Sequence, residues 1–541
     1  MSKITTYLNE HLAGEIISSG PELAAVSVDG SVLSKRPEML VSTANTSDVR
    51  KVARFCWQLA EKGHVLPITA RGNGTDMTGA AIGSGIILSH AKYMNRIVGI
   101  DPGQRLIHVQ AGAPYQGVKM ALSTHKGLTL PNESFDGTTG TIGGAIASGV
   151  IGHMNSRYGS IGGSVTQLEV VLASGEVLQT VRLSKRELNA KKGLQTMEGE
   201  IYRRIDNLIT DNQEMILSLA AKKVRDSSGY SNITRVKNKD GSIDLTPLFV
   251  GSQGSLGIIT EAIVKAQFAR QELTAVLVSY SDISDALSAV DAAAAMKATS
   301  IELIDGRLLK RAALQGKKRD FAPEESFTGG LVVAIYDDFG EKARNKSAKK
   351  LYQQLQKTSS PASLTVQNFS LADLAGIKSI LSLACKPVET SIVTPSLFRG
   401  IWLPHDQIDV FLADLKQIEK SHNIQLPVYA DIKSGLIDVL PIMNVTKISD
   451  RQKIIKLLSE FADMLPKYGG SLSGQGGDGR IKAAVVTKNI RGELLELYKQ
   501  IKEIFDPHNI LNPGVKQQVP AKDLVAQLND WCRLVIAKHG K

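Results

Sequence analysis

The sequence predicts an α+β protein of two domains, and three observations lead there. At 541 residues the chain exceeds what one hydrophobic core organises, so domains facing a shared cleft are expected. From Pro37 onward, short β-rich runs alternate with segments of helical periodicity, interrupted in the first half by three Gly/Ser/Thr loops. Near residue 268 the text changes to strands alternating with amphipathic helices, the pattern of an α/β cap domain.

Taken in order, residues 1–35 read as a short helical lead-in and 36–267 as the first domain. TSDVRKVARFCWQLAEKG carries apolar residues at helical spacing and ends on Gly63, a C-terminal cap. VLPIT reads as a strand running into Ala70–Thr75, and the Asp101-Pro-Gly turn separates further strands. YQGVKMALSTHKG reads as a helix, followed by a long loop from Pro131 to Gly163, then the hairpin VTQLEVVLASGEVLQT. A charged helical insertion spans 183–225, and GSQGSLG, at 251–257, leads into another strand. The cap spans 268–516 with a closing return to the first domain, and 517–541 reads as a C-terminal helix with Leu524, Val525, Leu528, Trp531 and Val535 on one face, for docking in preference to lying on a membrane surface.

Composition narrows the function class. Hydrophobic content of 43% with 22% charged residues describes a soluble globular chain, and no run approaches the roughly 18 apolar residues of a spanning helix. The N-terminus has polar and charged residues where a secretory signal needs an apolar segment. Three widely spaced cysteines (Cys56, Cys385, Cys532) suit neither a disulfide framework nor a metal cluster. Together these point to the cytoplasm. The net charge of +11 comes with only 5% aromatics and no basic stretch interleaved with stacking residues, which argues against nucleic acid. RLLKRAALQGKKR, residues 307–319, gathers six basic side chains. It reads either as a solvated helix end or as peripheral attachment to anionic lipid at the inner membrane face.

The three loops, 70–79, 137–149 and 251–257, carry the chemistry. Glycines let backbone N–H groups approach an anion and hydroxyls add donors, so such loops suit a nucleotide cofactor. None ends in Gly-Lys-Ser/Thr as a P-loop does, and none has the strand, helix and acidic residue of a Rossmann fingerprint. Gly474-x-Gly476-x-x-Gly479 matches that fingerprint's spacing, but a helix precedes it rather than a strand.

The order and wording of several segments carry a resemblance. They are RPEMLVSTANTSDVRKVARF, PITARGNGTDMTGAAIGSGIILS, MNRIVGIDPGQRLIHVQAGA, GLTLPNESFDGTTGTIGGAIASGVIGHMNSRYGS, VTQLEVVLASGEVL, LFVGSQGSLGIITEA and IFDPHNILNPGVK. In sum, residues 36–516 resemble the vanillyl-alcohol-oxidase, or PCMH-type, superfamily of FAD-binding flavoproteins. The matching branch is that of FAD-linked oxidoreductases such as D-lactate, glycolate and D-2-hydroxyglutarate dehydrogenases. The resemblance implies that Arg71, Gly72, Asn73, Gly74 and Thr75 hold the FAD pyrophosphate. It implies that Pro131, Asn132, Thr138, Thr141, Gly143, Gly144, Ala147, Ser148 and Gly149 line the ring system and phosphates, with Ile259 meeting the cofactor from its backbone. No His in the first loop and no Cys in the second offers a covalent link, so non-covalent FAD is expected.

In that branch the cap supplies a divalent metal and a base through motifs resembling His-x-Gly-Asp-Gly-Asn-Leu-His and Gly-Glu-His-Gly-x-Gly. Here the first falls on Ala430–Ile437, aliphatic at both histidine positions, and the second on Gly474–Gly479, with Gln475 for the carboxylate and Gly476 for the base. None of these four side chains replaces a metal-ligating carboxylate or imidazole, so no metal site is expected. Tyr429, Asp431 and Asp478 are the candidate substitute catalytic groups, although Asp478 in a Gly-rich loop reads first as a turn-former; Lys386, Arg399 and Gln475 are candidates for binding an anionic substrate. His153 reads either as a structural histidine or as a group at the ring edge. The expected activity is FAD-dependent oxidation of a small alcohol or hydroxy acid, with electrons passing to a quinone, a protein or oxygen. The alternative is a flavin-binding pseudoenzyme or electron-relay subunit.

Overall fold

The computed structural model describes residues 3–125, 127–130, 140–152, 154–222, 224–268, 272–315, 324–385, 392–490 and 492–539. Its first sheet has the strand order Glu15–Ile17, Met39–Ser42, Ile86–Ser89, Ile68–Arg71. The last three run parallel and the first is antiparallel. Residues 1–35 are therefore more than a helical lead-in: after helix Lys3–His11 they supply an edge strand. Helix Thr46–Glu61 starts at Asn45, whose side chain accepts from Asp48 N, and ends before Gly63 at φ +84°. Its Val49, Val52, Ala53 and Cys56 pack on Val41, Ile86 and Leu88.

The second sheet is antiparallel, ordered Ile97–Asp101, Leu106–Gln110, Ile258–Lys265, Val165–Val171, Val177–Thr180. Residues 165–180 form the hairpin that their alternation predicts. Helices Lys185–Lys192, Met197–Asp211 and Gln213–Ala221 fill the charged insertion.

The cap is one seven-stranded antiparallel sheet, ordered Ser363–Ser370, Glu272–Tyr280, Gly330–Tyr336, Ser300–Asp305, Val428–Asp431, Leu436–Val439, Phe398–Trp402. Alternation gives it two buried faces. One face, with Ile301, Leu303, Ala430 and Ile437, packs on helices Ala286–Ala295, Ile408–His422 and Ile448–Met464. The other, with Ile304, Leu331, Val333 and Tyr429, packs on helices Gly306–Ala313 and Leu371–Ala384. Leu524, Leu528 and Cys532 of helix Ala521–His539 join the first of these cores, and Ser34 N donates to Gln527 O at 3.1 Å.

The basic stretch 307–319 is not uniformly outward. Arg307 donates to Asp305 and, at 2.6 Å, to Glu419, while Arg311 is buried with its Nε near Ala384 O. Lys310 is exposed, and residues 316–319 lie outside the described residues. Two of the six charges are thus used inside the cap, which weakens the case for lipid attachment. Among the described residues, no helix is long and apolar enough to cross a membrane.

Candidate functional site

The three Gly-rich loops converge on one cleft. Strand Ile68–Arg71 runs into the first loop, where Arg71 Nη1 donates to Ala81 O at 2.9 Å. The guanidinium folds over Gly74, whose Cβ, if present, would lie 2.0 Å from Arg71 Nη2. Asp76 shapes the loop by accepting from Thr78 N, Thr78 Oγ1 and Ala80 N. From the second loop, Thr141 caps helix Ile142–Ser148 by accepting from Gly144 N. The two loops touch at Gly72, where a Cβ would lie 2.3 Å from Thr141 Oγ1. The third loop is pinned by Gln253, with Nε2 donating to Thr78 Oγ1 at 2.8 Å and Oε1 accepting from Gly479 N at 2.9 Å.

Residues far along the chain lock these loops together. Asn512 Oδ1 accepts from Thr69 Oγ1 and Arg480, and its Nδ2 donates to Ala80 O and Gln253 O. Lys502, fully buried, donates to Asp506, Ser255 O and Leu511 O at 2.6–2.8 Å. Asp506 in turn accepts from Ile510 N and Leu511 N. This is the physical content of the closing IFDPHNILNPGVK text.

Arg71, Gly72, Asn73, Gly74, Thr75, Thr141, Gly143, Gly144, Ala147, Ser148 and Ile259 line the cleft, with Arg399, Gln475 and Gly476 facing them from the cap. Gly149 does not: it forms the left-handed C-cap of its helix, at φ 61°, against Gly251 and Ser227. Pro131, Asn132, Thr138, Lys386 and His153 lie outside the described residues. Asp76, Met77, His90 and Gln253 also line it; the first, second and fourth lie in the loops the sequence singles out, though not named individually, and His90 lies outside them. His90 is a lone histidine after a strand and carries no sequence signal. It is buried, burial pushes its pKa down to about 4, Thr43 Oγ1 lies 2.9 Å from its Nδ1, and its Nε2 has no hydrogen-bond partner.

The residues present fit FAD. Gly72, Gly74, Gly143 and Gly144 leave backbone at the cleft wall, and Arg71, Asn73, Thr75, Thr141 and Ser148 add polar side chains there. A Gly72→Ala change should push Thr141 off its cap and weaken FAD binding roughly 10- to 100-fold, read by flavin fluorescence. His90 gives a second expectation. Because the folded state keeps it neutral, the unfolded state binds the extra proton between pH 6.5 and 4. Its contribution to stability is present above 6.5 and lost as pH falls towards 4. Urea midpoints should fall over that window, and less steeply in His90→Asn.

On the cap side, Arg399 Nε lies 3.8 Å from Asp438 Oδ2, and Gly400 N donates to Asp438 Oδ1 at 2.6 Å. Gly400 must be glycine, since at φ +69° a Cβ would meet Gln475 Cβ at 2.6 Å. Gln475 Nε2 donates to Ile151 O at 3.3 Å.

The three candidate catalytic groups stand outside the cleft lining, and their partners explain it. Tyr429 donates to the buried Glu302 at 2.8 Å. Burial and the neighbouring Glu302 hold its phenol well above its ordinary pKa. Asp431 accepts from Ser434 Oγ at 2.9 Å and lies 3.8 Å from Lys378, which itself pairs with Glu302 at 2.7 Å. Asp478 pairs with Lys516 at 2.7 Å and accepts from Ser473; burial alone would raise its pKa, but these partners hold it below the usual range.

The strand register shows where the two aliphatic motif positions lie. Ala430 and Ile437 are a cross-strand pair whose side chains enter the helix-packed apolar core. Asp431 and Asp438, one residue on, face the opposite side beside Lys378 and Arg399. Among the described residues, no group of three or more His, Cys, Asp or Glu side chains is arranged to hold a metal.

Two protein families match the chain: the FAD binding domain over residues 37–180 and the C-terminal domain of FAD linked oxidases over residues 269–515. The D-2-hydroxyglutarate dehydrogenase of Pseudomonas putida is 25% identical over 517 residues, covering 94% of this chain and 51% of its own length. The chain therefore spans about half the length of that relative. Glycolate oxidase subunit GlcD of Bacillus subtilis is 24% identical, with 88% of each chain covered. Among solved structures, 4-ethylphenol oxidase from Gulosibacter chungangensis matches with a TM-score of 0.64 at 15% identity, covering 96% of this chain and 97% of that one. An alkyldihydroxyacetonephosphate synthase matches at 0.61 and 15%, covering 95% and 86%. These two structures share the fold, and the sequence matches bring in the cofactor. The chain belongs to the FAD-linked oxidases, with the PCMH-type fold and FAD as its cofactor.

Proposed function

We propose that the chain oxidises the CH–OH group of a small hydroxy acid, without the divalent metal and histidine expected of this branch. The observation that carries this reading is Arg399, a cleft-lining cation braced by Asp438 at the cap side of the cofactor site. A guanidinium there binds a substrate carboxylate and fixes which end of the substrate meets the cofactor. Gln475, with its amide N–H engaged by Ile151 O, presents its carbonyl oxygen to the substrate hydroxyl. At Gly476, no described atom beyond its chain neighbours lies within 4 Å of where a Cβ would be, which gives the substrate room to approach. Bound FAD supplies the two-electron acceptor. The names of the relatives, hydroxyglutarate dehydrogenase and glycolate oxidase subunit, support the substrate class. Electrons would leave to a quinone, a protein or oxygen, and we place the chain in the cytoplasm.

A second reading, a subunit that binds FAD and relays electrons without oxidising a substrate, is favoured by one observation. The carboxylate and imidazole groups lining the cleft among the described residues are Asp76, consumed by its loop, and the neutral His90. Anaerobic titration with a panel of 2-hydroxy acids and polyols separates the two. Bleaching of the flavin band by a hydroxy acid supports oxidation, and reduction by dithionite alone supports the relay.

A further inference from the structure

We propose that Gln253 is a positioning residue: from the cofactor loops it sets the cap segment Gln475–Gly476 over the cleft. The proposal rests on the hydroxy-acid reading above, in which Gln475 meets the substrate hydroxyl. Gln253 sits at φ +51°, a left-handed conformation that is costly for a residue with a Cβ and nearly free for glycine. Its backbone is clamped there, with N donating to Ala147 O at 2.9 Å and O accepting from Asn512 Nδ2 at 2.6 Å. The side chain is buried, and its carboxamide is used at both ends. Nε2 donates to Thr78 Oγ1 at 2.8 Å and to Gly476 O at 3.2 Å, with Asp76 Oδ2 also in reach at 3.3 Å. Oε1 accepts from Gly479 N at 2.9 Å. These partners fix the amide's orientation, since Gly476 O can only accept and Gly479 N–H can only donate.

One side chain thus ties the first cofactor loop to both ends of the cap turn 476–479. Gly477, between those ends, shows how close the fit is: a Cβ there would lie 2.5 Å from the Gln253 amide carbon and oxygen. The turn's other anchors, Gly477 N on Ser227 Oγ at 3.0 Å and Asp478 on Lys516 at 2.7 Å, act beyond Gly476. The Gln475–Gly476 segment is held by Ile151 O on one side and by Gln253 on the other. Releasing the second hold lets the Gln475 carbonyl oxygen swing about the first. The donors of Nε2 are what matter: Thr78 Oγ1 gives its own proton to Asp76 Oδ1 at 2.7 Å, so it can serve Gln253 only as an acceptor.

The test is anaerobic flavin reduction by D-lactate and glycolate, per bound FAD, in wild type, Gln253→Glu, Gln475→Ala and the double variant. Ionised Glu keeps the size and the acceptor for Gly479 N but loses both donors, so reduction efficiency should fall roughly 10- to 100-fold. In the Gln475→Ala background the same change should cost less than about 3-fold, a non-additivity that a residue merely supporting the fold would not show. Gln253→Ala adds no charge and covers a Glu variant that does not fold. In its holoprotein, deuterium uptake across Gly474–Gly479 should quicken about 10-fold or more, with strand Gly330–Tyr336 unchanged. If neither acid reduces wild-type flavin, the substrate reading fails and the exchange measurement decides the positioning role. Wild-type reduction in Gln253→Glu, a fully additive loss with Gln475→Ala, or unchanged uptake in Gln253→Ala overturns the proposal.

Discussion

Replacing Arg399 with Met is expected to lower the efficiency of flavin reduction by 2-hydroxy acids roughly 10²- to 10³-fold, with FAD content unchanged. The side chain lines the cleft and Asp438 holds it there. Removing the cation strips a charge-assisted contact from the substrate carboxylate and leaves Asp438, itself buried, less well compensated. Losses of about 2–5 kcal/mol are usual for such truncations. Because the carboxylate does not react, most of the loss should appear as weaker substrate binding rather than slower reduction at saturation. Arg399→Lys should recover only part, since an ammonium lacks the planar fork. Stopped-flow reduction against concentration reads both terms. An uncharged alcohol substrate should be nearly indifferent to the change. An equal loss for charged and uncharged substrates would mean that Arg399 only supports the local structure.

Lys502→Met should cost about 3–5 kcal/mol of stability. The ammonium has no water-facing side: it joins Asp506, Ser255 O and Leu511 O in the interior. Burial lowers its pKa even with Asp506 beside it, which shows how much the charge depends on that partner. Taking it away leaves a buried carboxylate without its counter-charge and strips a donor from two carbonyls where the C-terminal return meets the third cofactor loop. Urea unfolding should shift to lower denaturant, with FAD released in the same transition. Lys502→Met/Asp506→Leu should recover only part, because Asp506 also accepts from Ile510 N and Leu511 N. An unchanged urea midpoint in Lys502→Met would contradict this account.

These residues also show what the sequence discloses and what it hides. The glycine loops are legible because their chemistry is local: a turn and a close backbone approach both demand a missing Cβ, wherever the ligand lies. The locks are not local. Asn512 joins Arg480 and, hundreds of positions earlier in the chain, Thr69, Ala80 and Gln253, and a single Asn predicts none of them. In strands a slip of one residue exchanges the two faces. Sequence alone does not say which face each residue takes: Ala430 and Ile437 enter the apolar core, while Asp431 and Asp438 take the polar side. Arg307 and Arg311 looked like surface charge because composition does not report that Glu419 and Ala384 O wait inside the cap. His90 had no pattern at all, and its interest comes from burial and one unpaired nitrogen.

The central claim, hydroxy-acid oxidation without a cap metal, is tested most directly by anaerobic flavin reduction after exhaustive chelation. A 2-hydroxy acid should bleach the flavin band at the same rate in chelated protein and after divalent metal is restored. Reduction that vanishes on chelation and returns with metal would contradict it.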